Sequence, residues 1–81
     1  MIIRTLTAPS EKAYDEAIAY IGEISCKVEN INGHLVYRIA KKLGGGLVVP
    51  ERDVRAIELR NINEDTEGLI KHILDTEIRS F

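Results

Sequence analysis

Apolar residues recur at helical spacing in two stretches of the chain, and strand-like alternation fills the segments around them. Tyr14, Ala17, Ile18, Ile21 and Ile24 recur at three- and four-residue spacing, which is one stripe of an amphipathic helix. Ser10 is placed to cap its first turn, and Glu11 to meet the positive end of its dipole. The spacing predicts a helix over 10–23, with Gly22 marking its end. Leu69, Ile70, Ile73, Leu74, Ile78 and Phe81 form a second stripe. Asn63 is its N-cap, Glu64, Asp65 and Glu67 crowd its first turn, and Arg79 sits in its last.

The remaining segments read as strands and turns. Ile2–Thr7 is rich in β-branched residues and is closed by Ala8-Pro9. Ser25–Ile31 and His34–Ala40 flank Asn32-Gly33, a pair that accepts positive φ at both positions, so a tight hairpin is expected. In its second arm Leu35, Tyr37 and Ile39 are assigned to the core face. In its first arm Cys26 and Val28 alternate with Lys27 and Glu29. Lys41-Lys42-Leu43-Gly44-Gly45-Gly46 breaks the pattern and predicts a mobile loop or the tip of a second hairpin. Leu47–Val49 is a short strand, and Pro50-Glu51-Arg52-Asp53 a turn with proline at its second position. Over 54–62, Ile57 and Leu59 alternate with Glu58 and Arg60, so a strand is preferred to a helix opened by Pro50.

These elements make residues 1–81 a single α+β domain. The expected architecture is a two-layer sandwich, a small antiparallel sheet of about four strands with two helices on one face, in the condensed order β-α-β-β-β-α. One sheet face then meets water unless another chain covers it.

Length restricts what such a domain can do. A chain of 81 residues buries only about 60–65% of the surface its unfolded form exposes, so a deep substrate cavity would remove packing it needs. Cys26 is the single cysteine, which excludes an intrachain disulfide; it is expected as a small buried hydrophobe. A nucleophilic role needs an activating neighbour, and His34 across the hairpin is the one candidate. His34 and His72 lie far apart, with no spacing that resembles a zinc site, and both are expected at the surface. Carboxylates such as Asp15 and Glu16 neighbour each other on a solvated helix face, which does not separate their pKa values. The glycine run lacks the order of a phosphate loop, since Lys41 and Lys42 precede it. The sequence therefore predicts no catalytic residue, no cofactor and no metal, and a protein that is not an enzyme. Met1–Leu6 is too short and polar for a signal-peptide core, and no apolar run approaches the about twenty residues of a membrane span. A cytoplasmic protein with no membrane partner is expected.

Charge adds one feature. The net charge is −2, yet between Lys27 and Arg60 seven Lys and Arg residues face only four acids, while the helices hold most of the others. The candidate binding surface is Arg38, Lys41, Lys42, Gly44, Gly45, Gly46, Arg52, Arg55 and Arg60. Two function classes follow. The first is a small non-enzymatic binding or regulatory protein that meets a protein partner of unknown identity through its surface, as a homodimer. The alternative is a nucleic-acid-binding module built on the basic segment 38–60, although it lacks the aromatic pair with which sheet-based RNA binders stack bases.

Overall fold

The computed structural model describes residues 2–76. The expectations for Ile78, Arg79 and Phe81 lie outside the described residues. Five strands form one antiparallel sheet: β1 (Ile3–Thr7), β2 (Ser25–Ile31), β3 (His34–Ile39), β4 (Leu47–Glu51) and β5 (Ala56–Arg60). Helix α1 (Glu11–Ile24) joins β1 to β2, and α2 (Glu64–Thr76) follows β5. The spatial order is β1-β5-β4-β3-β2. Strands β2 to β5 thus run as a meander, and β1 closes the sheet beside β5. The two-layer α+β architecture is as expected, with five strands where about four were expected. The short strand expected at Leu47–Val49 is β4, which extends through Pro50 and Glu51 and pairs with β5 along its whole length.

The helices cover one face. Ala13, Tyr14, Ala17 and Ile21 of α1 and Ile70 and Leu74 of α2 pack with Ile39, Val48, Ile57 and Leu59 of the sheet, and all are buried. Ser10 caps α1 by accepting a hydrogen bond from the Ala13 amide at 3.1 Å, and Asn63 accepts from the Thr66 amide at 2.8 Å to start α2. Helix α1 does not stop at Gly22. It runs to Ile24 and ends where Ser25 turns extended, its hydroxyl donating to the Ile21 carbonyl. Glu67, nearly buried on α2, meets Arg4 of β1 at 3.5 Å and so ties that helix to the edge strand. Leu69, assigned to the apolar stripe, is 52% exposed. Leu35, assigned to the core, is also exposed, and Val36 is buried on the opposite face of β3.

The turns follow local chemistry. Asn32 and Gly33 adopt φ of 52° and 82° and close the expected hairpin. The glycine run is an ordered β3–β4 connection. Lys41–Leu43 forms a 3-10 turn, the Gly44 and Gly45 amides donate to Lys41 and Ala40, and Asn63 donates to the Leu43 carbonyl. Pro50 lies inside β4, and the turn comes after it at Arg52–Val54. Its position limits the sheet. The Ile39 amide donates to the Gly46 carbonyl at 3.0 Å, so every second rung from there is hydrogen-bonded. Tyr37 and Val48 occupy the next such rung, and Leu35 and Pro50 the one after. Proline has no amide to offer there, and pairing between β3 and β4 ends at Tyr37–Val48. Beyond that point the β2–β3 hairpin separates from β4.

Two glycines give opposite expectations. Gly46 has φ of +98°, and a Cβ built there would lie 2.6 Å from the Asn61 carbonyl oxygen. Gly46→Ala is expected to cost at least about 2 kcal/mol, on the order of 10 °C in Tm for a domain this small. Gly68 sits inside α2 with nothing within 4 Å of that position. Gly68→Ala is expected to raise stability by about 0.5–1 kcal/mol. Thermal and urea unfolding of both variants check the pair.

Candidate interaction surface

Among the described residues no element lies over the sheet face opposite the helices, and its residues fall into rungs across the strands. Antiparallel register places Lys27, Arg38, Leu47, Arg60 and Ile3 on one rung that spans all five strands. The neighbouring rung carries Glu29, Val36, Val49, Glu58 and Thr5. Ile31, His34, Glu51, Ala56 and Thr7 make the third. A cationic rung therefore lies beside an anionic one, because opposite charges stand two residues apart on a strand (Lys27 and Glu29, Glu58 and Arg60) and point the same way.

The charges are used within the chain. Arg60 meets Glu58 at 3.0 Å, and Glu29 accepts from both Lys27 and Arg38 at 3.0 Å. Hydrogen bonds from Lys27 and Arg38 hold the Glu29 carboxyl below its ordinary value of 4.5. Between the charged side chains Val36, Val49 and Ala56 are buried although no helix lies above them. Where β3 has parted from β4, a shallow groove of about 240 Å³ opens, floored by Val36, Leu47 and Val49 and edged by His34, Glu51 and Glu58.

The nine candidate residues divide between the two ends of β4. Arg38, Arg60, Gly44 and Gly46 line one shallow depression together with Leu47 and Asn61. Lys41 and Lys42 stand exposed on the turn that leads into it, with Gly45 between the two lining glycines. Arg52 and Arg55 lie at the opposite end. There Arg52 meets Asp15 at 3.1 Å and stacks 4.9 Å over the Tyr14 ring. Burial pushes the Tyr14 phenol above its ordinary value of 10.0, and the Arg52 charge partly opposes this. Arg55 holds a left-handed conformation, φ 50°, where the 3-10 turn enters β5.

Glu29, Val36, Leu47, Val49 and Glu58 also belong to this surface and were not among the nine. Opposite charges two apart within strand-period segments were the signal for the glutamates. Cys26 is exposed, contrary to its expected burial. It sits at a β-bulge where β2 slips by one residue against β3, with its thiol 3.5 Å from the Arg38 carbonyl. His34 opposes Ile31 at the other end of the hairpin, so the two do not meet. His72 is exposed on α2. Among the described residues no three His, Cys, Asp or Glu side chains are grouped to hold a metal ion, and no helix is long and apolar enough to cross a membrane. The chain matches no known protein-family model, no curated protein and no solved structure.

The Glu29 cluster carries a pH expectation. Its folded carboxyl titrates below the unfolded one, so its stabilising contribution is present above the ordinary carboxylate range and is lost as pH falls through the lower folded value. Glu29→Gln is expected to be less stable than the parent at neutral pH and equal to it in strong acid. Urea unfolding at the two pH values measures the difference.

Proposed function

We propose that this chain is a small non-enzymatic, cytoplasmic binding protein that works through a protein surface as a homodimer, and that the uncovered sheet face receives its partner. The observation that carries this reading is the rung pattern. An apolar strip through Val36, Leu47 and Val49 crosses the cationic and anionic rungs, whose charges pair with one another and leave one positive charge in excess. A face of that kind offers a protein partner apolar contact and polar orientation together. It offers little net attraction to a polyanion, because Arg38 and Arg60 are already engaged by glutamates. The partner best matched to it is an extended protein segment with apolar side chains that set on the strip, flanked by charges of both signs.

The alternative is nucleic-acid binding through the end of the sheet beside the glycine turn. It is favoured by Lys41 and Lys42, which are exposed and have no ion pair among the described residues. Recovery of tagged protein from its native extract, with and without nuclease, separates the two. The protein-surface reading expects a stoichiometric protein that survives nuclease and falls about tenfold or more for Leu47→Glu, which places a charge on the strip. Recovery that collapses with nuclease, together with a shallower salt dependence for the Lys41→Ala, Lys42→Ala double variant, would establish the alternative instead.

A further inference from the structure

Strand β2 lies at the sheet edge, and the parity of its backbone groups follows from the hairpin. The two-residue Asn32-Gly33 turn makes Ile31 and His34 a hydrogen-bonded pair. Glu29 and Lys27, at every second position, also direct their amides and carbonyls to β3, while Val28 and Asn30 direct theirs out of the sheet. A second strand can pair with this edge only if its own outward residues meet Val28 and Asn30.

For a second copy paired antiparallel about a two-fold axis, that parity leaves a short set of registers. Centring on Lys27 opposes lysine to lysine, and centring on Glu29 opposes carboxylate to carboxylate. Centring on Asn30 sets Glu29 against the partner's Ile31. Centring on Val28 overlaps all of Ser25–Ile31 and sets Lys27 against the partner's Glu29 on both sides of the axis. Those two pairs occupy non-hydrogen-bonded positions, where facing side chains come closest. Val28 is 49% exposed beyond the cover of α1, and in this register it lies against the partner's Val28. The opposite edge, β1, has no such selection. There the full-overlap register is centred on Thr5, the midpoint of β1, and sets Arg4 against the partner's Leu6, with no charge pair across the axis.

We propose that two copies of this chain associate by antiparallel pairing of β2 centred on Val28, forming a continuous ten-stranded sheet in which the cationic rung of each copy runs into the anionic rung of the other. This rests on the homodimer reading above and names its seam. The uncovered faces of the two copies then lie side by side.

Complementary charge reversal tests the register. Lys27→Glu gives a chain with glutamate at both positions, and Glu29→Lys a chain with lysine at both. Each alone opposes like charges across the axis, and the two together oppose unlike charges at both pairs. Sedimentation equilibrium is expected to find the parent dimeric, each single variant weakened by about tenfold or more, and the equimolar mixture restored as a heterodimer. A parent dimer unaffected by either variant would overturn the β2 seam and leave the homodimer reading standing. Variants that weaken without recovery on mixing would overturn the Val28-centred register. A parent that stays monomeric at millimolar concentration would overturn both the seam and the homodimer reading. Circular dichroism of each variant verifies that it is folded.

Discussion

The packing of Ala13, Tyr14, Ala17 and Ile21 against Ile39, Val48, Ile57 and Leu59 is the contact on which the rest of this structure depends. Helix α1 joins strands at opposite edges of the sheet, β1 and β2, so its buried stripe binds the two ends of the sheet to its centre. Small residues at 13 and 17 let the helix approach closely, and Tyr14 and Ile21 fill the space that remains. Helix α2 adds Ile70 and Leu74 to the same layer. With both helices on one side, most apolar burial is directed there, and Val36, Val49 and Ala56 on the other face are buried without a covering helix among the described residues.

That face is stabilised by charge alternation. Lys27, Arg38 and Arg60 form one rung and Glu29 and Glu58 the next, and Val36 and Val49 are buried in the same rung as the glutamates. Exposed pairs of this kind each contribute little, on the order of 0–1 kcal/mol. Their importance here lies in pattern. They pair all but one of the charges on the open face, leave a narrow apolar strip accessible through Leu47, and give the β2 edge a charge sequence that distinguishes one pairing register from the others.

Much of the fold was legible in the sequence. Asn32-Gly33, Ser10 and Asn63 each announced a turn or a helix start through chemistry local to a few residues, and the strand alternation at Ile57–Arg60 gave β5. What could not be read locally depended on register. Leu35 is exposed because it lies on the helix-side face beyond the last β3–β4 pair at Tyr37–Val48, while Val36 is buried on the opposite face. Cys26 is exposed because a bulge on an edge strand displaces it. The basic residues looked like one group along the chain, but β4 separates Arg52 and Arg55 from Arg38, Lys41, Lys42 and Arg60, and glutamates two positions away take up part of their charge.

Hydrogen exchange at the Val28 amide, followed by NMR across a range of protein concentrations, tests the account most directly. That amide points out of the sheet and has no partner strand among the described residues of one copy. The account predicts protection at high concentration that disappears on dilution, while the amides directed to β3 stay protected throughout. Fast exchange of Val28 at every concentration would contradict it.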